Sequence, residues 1–346
     1  MNHPDVTEPS PDAKAPAAAG AAGSVEPSTR SFRHFLEAYA FVGLMVAAAL
    51  FFALWGQTST AFTSSANIRT LISSNAVVAI IALAALVPLV AYEFDLSVGG
   101  VAGLSAVFSA SMLASGMPIA IAIIAAIAIG AMIGLANALL ITRVGVNAVI
   151  TTLGMSIIIA GIVNQKTGGL TTSTQLPHAF TNFGSSDWFG IPKLAFVLAV
   201  IALAVYYVLQ YTPYGRFLYA FGSNRAAAQL VGIRTKLVLG SAFLISGSLS
   251  AMAGILQVSR AGSADPKGGE AFTLPALAAA FLSAAAIRPG RYNVAGALVA
   301  IFFLGVLNNG LNLAGSPEYV NNYVNGAALI IGVALTVRLG NGQRDV

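Results

Sequence analysis

"YEFDLSVGGVAGLS", residues 92–105, places two carboxylates, Glu93 and Asp95, between two long uncharged runs. No Lys, Arg, Asp or Glu occurs from Thr70 to Tyr92 or from Leu96 to Thr142. Apolar runs of about 18 residues or more read as membrane-crossing helices, so the two acids mark a joint between two such helices. As a helix, residues 75–92 rise about 27 Å, nearly one hydrocarbon core. That sets Glu93 and Asp95 at one membrane face, with Glu93 solvated at its rim. Asp95 or Ser97 caps the next helix through a side-chain oxygen. Pro88 before the joint and Gly99–Gly100 after it predict a kinked, broken-helix junction that another helix can approach closely.

The pattern recurs almost end to end. The 346 residues are 57% hydrophobic and 8% charged, where a soluble domain carries about 25% charge. The chain reads as an all-α integral membrane protein. About ten transmembrane helices are expected, near 37–55, 70–92, 96–114, 118–141, 147–165, 192–210, 237–257, 273–287, 294–313 and 322–338. Gly116 and Pro118 mark a tight turn. Residues 1–31 are Pro/Ala/Ser-rich and read as a disordered tail, followed by a transmembrane domain over 32–340. The tail lacks the basic-then-apolar layout of a signal peptide, which predicts a retained first helix and a cytoplasmic tail.

Charge placement orients the helices. With ten spans and both termini cytoplasmic, eleven Lys/Arg near spans fall inside, among them Arg143, Arg216, Arg225, Arg234, Arg288 and Arg291. Five fall outside: Arg69, Lys166, Lys193, Arg260 and Lys267. This is the positive-inside bias. The basic residues sit at span ends and form no clustered face, which argues against nucleic acid as a partner. "GLANALLITRVGVNAVI" (134–150) echoes "GVLNNGLNLAGSPEYVN" (305–321), each with Gly and then Asn three residues on. Five spans separate the copies, so they run in opposite directions, as in a 5+5 inverted repeat of a transporter.

Several chemistries are missing. There is no cysteine for a disulfide or thiolate site and no phosphate-cradling G-x-x-x-x-G-K-[ST]. The histidines, His3, His34 and His178, assemble no catalytic set and no metal cluster. A transport role with no catalytic residue, no metal and no cofactor in this chain follows as the expectation.

The segment "QYTPYGRFLYAFGSNRAAAQLVGIRTK" (210–236) is the longest inner loop. Ser223 or Asn224 can cap a helix, "RAAAQLV" propagates it, and Gly232 supplies a left-handed stop. The product is a helix of about two turns; a plain solvated segment is the usual role of such a loop, and entry of its Ala-rich face into a groove on another protein is the alternative.

At this loop the sequence resembles a known family. "YGRFLYAFGSNRAAAQLVGI" (214–233) is similar to the cytosolic segment of permease subunits of bacterial ATP-binding-cassette sugar importers, the ribose, xylose and arabinose permeases. "DLSVGG" (95–100), "NALLITRVGVNAVITTLGM" (137–155) and "GVLNNGLNLAG" (305–315) resemble further signatures, in order, from about residue 70 to 335. The resemblance implies a multi-pass subunit of the bacterial cytoplasmic (inner) membrane, paired with a second copy as a homodimer. It also implies a cytosolic ATPase subunit, which would bind ATP and Mg, and a periplasmic or extracellular solute-binding protein. Arg216, Gly222, Asn224, Arg225, Ala226, Ala227 and Gly232 would form the coupling element, within a coupling loop of 211–236.

One region departs from the ribose pattern. "FLSAAAIRPGRYNVAG" (281–296) keeps Gly290 and Gly296 of a Gly-rich motif, and Pro275 stands where a more polar residue is usual. The branched-chain amino acid permeases, with a similar layout, are therefore the second reading. An ion-coupled secondary transporter using Asp95 is the third. The pathway candidates are Asp95, Ser97, Asn137, Asn164, Asn308, Asn309 and Asn312, since amides offer donors and acceptors to sugar hydroxyls; Asn75 is a further amide. Helix–helix hydrogen bonding is the competing role for each asparagine. Trp188, Tyr319 and Tyr323 near the outer end suit stacking on a sugar or an interfacial belt.

Overall fold

Residues 76–91 are apolar on every side of the helix, and such a helix is buried all round. It forms the central element of a helical bundle. The structure, a computed structural model, describes residues 28–171 and 176–341, with side chains described within 39–335. The helices are α1 (Ser28–Leu54), α2 (Ser59–Phe62), α3 (Ser65–Leu89), α4 (Val98–Ala114), α5 (Ile119–Leu139), α6 (Ala148–Thr167) and α7 (His178–Ser185). They continue with α8 (Lys193–Tyr211), α9 (Pro213–Ser223), α10 (Arg225–Leu230), α11 (Thr235–Ala261), α12 (Gly268–Leu282), α13 (Val294–Leu313) and α14 (Tyr319–Asn341). A π-turn, Leu140–Val144, extends α5. A small hairpin, β1 (Asp187–Trp188) and β2 (Ile191–Pro192), pairs Asp187 with Pro192.

Seven helices among the described residues are long and apolar enough to cross a membrane, by length and composition: Ser65–Leu89, Ile119–Val144, Ala148–Thr167, Lys193–Tyr211, Thr235–Ala261, Gly268–Ala285 and Val294–Leu313. Three shorter apolar stretches, Tyr39–Leu54, Val98–Ala114 and Tyr319–Leu335, complete the set. Each expected span coincides with one of these ten. α1 begins at Ser28; the tail expected over 1–31 otherwise lies outside the described residues.

The bundle has two distinct ends. At one, Arg288 donates to Gln210 at 2.7 Å, Tyr219 donates to the Tyr292 carbonyl at 2.7 Å, and Arg225 meets Glu93 at 3.4 Å. This basic end gathers α9, α10 and the turn before α13. At the other, Arg69 pairs with Asp187 at 2.9 Å and Ser259 donates to the Phe180 carbonyl.

In lipid, burying apolar side chains gains little, so helices associate by close packing of small residues. α11 packs against α3, α4 and α5, and glycine sets its close contacts with α4 and α5. A Cβ at Gly130 would strike the Gly247 carbonyl, one at Gly134 the Phe243 carbonyl, and one at Gly254 the Ala102 carbonyl. The echoed glycine Gly305 lies against Asn75 of α3, as Gly134 lies against α11.

α4 and α12 do not run face to face across the bundle. A Cβ at Gly269 would strike the Gly99 carbonyl and the Gly103 backbone, so the first turn of α12, which comes from the opposite end, meets the first turns of α4, which comes from the basic end. Both helices start inside. Asp95 bonds Ser246, which lies roughly 16 Å along α11 from Thr235. Ser97 bonds Asn137, roughly 10 Å from the end of the π-turn at Val144. Against a core of about 30 Å, the segment before α4 rises a third to a half of the way in.

Four expectations change. Asp95 leaves the membrane face for the interior, because α3 ends at Leu89 and the chain turns back inward. Pro88 terminates α3 more than it kinks it; its carbonyl accepts the Ala91 and Glu93 N–H groups at 2.9 and 3.2 Å. α12 begins at Gly268, five residues before the expected span, because Gly268 and Gly269 belong to a helix start. Residues 213–223 are helical as well, since Thr212 caps α9 through the Gly215 N–H and Pro213 occupies the first turn.

The α4–α12 contact has a direct test. Gly269→Val is expected to lower the thermal midpoint and folded yield of detergent-solubilised protein, by about 1–3 kcal/mol of overpacking or more. Gly161→Ala, which meets open space, is expected to leave both unchanged.

Candidate functional site

Three of the sequence candidates come together at the start of α4. Asp95 Oδ1 accepts the Ser97 N–H at 3.0 Å and the Ser97 hydroxyl at 2.6 Å, and Oδ2 accepts the Ser246 hydroxyl at 2.7 Å. Asn137 donates to Ser97 Oγ at 3.0 Å. Asp95, Ser97, Asn137 and Ser246 are all buried. The Leu96 N–H donates to Thr152 Oγ at 3.0 Å, tying the same segment to α6. The Asn137 carbonyl oxygen and the Ser250 hydroxyl, both buried, have no protein partner. The expected side-chain cap does not form: Ser97, the N-cap of α4, makes no capping bond; Asp95 instead turns the chain into α4 through its i+2 bond, and its second oxygen reaches α11. α12 repeats the turn, as Asp265 Oδ1 accepts the Lys267 N–H at 3.0 Å just before Gly268–Gly269.

The α13 asparagines form a separate group at the opposite end. Asn309 and Asn67 exchange two hydrogen bonds of 2.9 and 3.0 Å. Asn308 donates to Asn325 at 3.1 Å, and Asn312 accepts from Asn321 at 2.9 Å. These amides join α3, α13 and α14. Asn164 stands apart, exposed on α6, and Asn75 donates to the Leu71 carbonyl at 2.8 Å within α3. Tyr319 and Tyr323 are exposed with ring centroids 5.7 Å apart. Trp188 lies in the hairpin under the Lys193 ammonium at 5.5 Å.

A cleft of about 70 Å³ separates the two glycine starts from the opposite end. Ile81, Gly103, Gly254 and Phe272 form its walls, and Gln257, Ser263 and Asp265 supply its polar groups. Gln257 is oriented by the Arg260 guanidinium, which donates to its Oε1 at 3.4 Å. None of these polar residues stood out in the sequence, although Asp265-Pro-Lys-Gly-Gly is a near copy of Asp95-Leu-Ser-Val-Gly-Gly.

At the basic end five of the coupling candidates lie on α9 and α10, and the other two, Asn224 and Gly232, flank α10. Asn224 accepts the Ala227 N–H at 2.9 Å and starts α10. Gly232, at φ +83°, ends it, with the Ile233 N–H on the Ala228 carbonyl at 3.1 Å, a Schellman closure. Only Ala228 of α10 faces inward; Arg225, Ala226 and Ala227 are exposed, and Leu230 and Val231 project with 88% and 76% of their surfaces free. Arg216 is exposed on α9. Gly222 lies on the Val90 carbonyl with no room for a Cβ. Burial pushes the Glu93 carboxyl above its usual value, and Arg225 draws it back down. Glu93 is therefore paired and half-buried, not solvated at the rim.

Another residue the sequence did not single out is Asn293. Its Nδ2 donates to the carbonyls of Ser283, Ala286 and Arg291, and its Oδ1 accepts the Gly296 N–H at 2.7 Å. It ties α12, the following turn and α13 together, in the region that departs from the ribose pattern. Gly290, at φ +82°, shapes the turn. Among the described residues no three His, Asp or Glu gather as metal ligands.

The Asp95 cluster predicts an ordering of variants. Asp95→Leu strands three buried donors, each costing about 1–3 kcal/mol, and is expected to abolish folded protein. Asp95→Asn keeps one acceptor oxygen and is expected to retain a measurable folded fraction by size-exclusion chromatography.

A family model described as "Branched-chain amino acid transport system / permease component" matches residues 67–333. The ribose import permease protein of Escherichia coli (strain K12) is 30% identical over 295 residues, 84% of this chain and 91% of that protein. Its counterpart in Bacillus subtilis (strain 168) is 33% identical over 275 residues, 79% of this chain and 85% of that protein. An autoinducer 2 import system permease protein of Photorhabdus laumondii is 28% identical over 286 residues, 83% of this chain and 86% of that protein. No solved structure matches. With relatives covered over most of their own length and the family matched across nearly all the helices, the chain belongs to the permease subunits of ATP-binding-cassette importers, the family that includes the ribose import permeases.

Proposed function

We propose that this chain forms the translocation pathway of an ATP-driven importer for a small polyhydroxylated solute, a monosaccharide, in a bacterial cytoplasmic membrane. The observation that carries the reading is the exposed α10 platform. A rigid, doubly capped helix with small residues and two projecting apolar side chains is built to enter a partner's groove. The partner is a cytosolic ATPase subunit, which binds ATP and Mg and supplies the chemistry. Ala226 and Ala227 meet its groove, Asn224 and Gly232 fix the helix ends, and Arg216 and Arg225 flank the contact. The basic end is then the cytosolic face, in keeping with the positive-inside bias, and the hairpin and α7 face a solute-binding protein.

Ten spans in a 5+5 inverted arrangement, with cytoplasmic termini, suit this mechanism. The matched Gly-Gly starts, the matched Asp turns and the paired settings of Gly134 and Gly305 support the inverted arrangement. Discontinuous helices that meet near the midplane are where transporters bind and gate. The cleft beside them offers Gln257, Ser263 and Asp265 to hydroxyl groups and Phe272 to an apolar sugar face. Alternating access follows from movement of α4 against α12. A second copy of the chain completes the membrane unit, as a homodimer within lipid.

A branched-chain amino acid is the second reading, favoured by the description of the matched family. The ion-coupled reading is disfavoured, because both oxygens of Asp95 are already held by donors, Ser97 on one and Ser246 on the other. Uptake of radiolabelled ribose and leucine, by cells carrying this chain with its encoded ATPase and binding protein, decides the class. Ribose uptake that depends on ATP is expected, and leucine uptake alone would overturn the sugar reading. Ala227→Glu buries a charge in the groove and is expected to cut uptake about tenfold or more, since 1.4 kcal/mol of lost docking is already that factor. The protein should remain inserted.

A further inference from the structure

Two features of the basic end are unexplained by docking alone. Arg225 is the first residue of α10, yet it turns back to Glu93 at 3.4 Å, while its guanidinium lies 5.0 Å from the Phe221 ring. Glu93 stands two residues before Asp95, on the segment that climbs to the inner start of α4. Its side chain keeps only 19% of its surface exposed, against 58% for Arg225. An ion pair with one exposed member adds little to stability, so its use is better sought in direction than in strength.

The segment is fixed at every residue that follows. Leu96 is tied to α6 through Thr152, Asp95 to α11 through Ser246, and Ser97 to α5 through Asn137. Before it, the Gly222 backbone rests on the Val90 carbonyl. The α9–α10 corner thus grips the segment at Val90 and Glu93. Five residues after Glu93 begins α4, whose first turns lie on Gly269 of α12, beside the cleft.

We propose that Glu93 is a positioning residue: its ion pair with Arg225 fastens α10 to the intramembrane start of α4, so that displacement of α10 shifts the α4–α12 contact. This rests on the reading of α10 as the ATPase contact. A push on α10 reaches α4 through a short, fully tethered segment, not through the length of α3 or α11. Loss of the pair leaves the platform able to dock but slack against the gate.

The test uses the whole transporter, this chain with its encoded ATPase and binding protein, reconstituted in liposomes with ribose as the probe. ATP hydrolysis and ribose uptake are read together. Glu93→Gln is expected to leave basal hydrolysis unchanged while uptake per ATP falls at least about fivefold, the low end of measured coupling free energies. Glu93→Arg is expected to be worse, and the exchange Glu93→Arg with Arg225→Glu to recover most of the uptake per ATP, a ratio that a loss of docking at Arg225 does not lower. A purely structural role would lower hydrolysis, folded yield and uptake in parallel and would show no recovery on exchange. Unchanged uptake per ATP in both Glu93 variants, or an exchange no better than Glu93→Arg alone, overturns the proposal. Ala227→Glu runs beside them. If it stops uptake while the Glu93 variants do not, this inference alone fails; if it leaves uptake intact, the ATPase reading of α10 fails and takes the inference with it.

Discussion

Backbone-to-backbone approach at glycine is the constraint on which the rest depends. Lipid offers no hydrophobic reward for bringing helices together, so contact must come from distances that side chains forbid. Gly130, Gly134, Gly247 and Gly254 bring α11 onto α5 and α4, and Gly99, Gly103 and Gly269 bring α4 onto α12. Without these approaches the two short helices could not start inside the bundle. The cleft beside them would then lose its floor.

Starting a helix inside a membrane exposes backbone groups that water would otherwise satisfy, and they must find protein partners. The chain answers with short polar side chains at each turn. Asp95, with Ser97, Ser246 and Asn137, serves the start of α4, and Asn293 closes the turn between α12 and α13; Asp265, itself exposed, makes the matching turn before α12. The same residues that satisfy the backbone also join helices far apart in sequence. Polar groups that would mark a solute site in a soluble protein are here mostly spent on architecture, as the asparagine pairs of α3, α13 and α14 illustrate.

The apolar helices and the ends of α10 were legible in the sequence because their signals are local. Asn224 and Gly232 announce the ends of α10, and Gly116–Pro118 a turn, through the conformations those residues favour. Thr212–Pro213, an equally local start for α9, was there to be read as well. The depth of Asp95 was not legible. Span counting assumes that each helix runs from face to face, and the bond that contradicts this assumption comes from Ser246, 151 positions away. The cleft residues were hidden for a related reason: Gln257, Ser263 and Asp265 gain meaning only when the loop after α11 folds inward beside α4.

The meeting of Gly99 with Gly269 also bears on how the protein is made. At synthesis rates of about 5–20 residues per second, Gly269 leaves the ribosome roughly 10–30 seconds after Gly99. For most of that interval α4, with its buried carboxylate, has no Ser246, and for all of it no α12, to receive it. An acid in hydrocarbon that lacks one of its partners is costly, and until Ser246 arrives Asp95 has only the two Ser97 donors. The centre of the bundle is thus completed last, since a chain that stops before α11 lacks both the Ser246 donor and the Gly269 contact of α4.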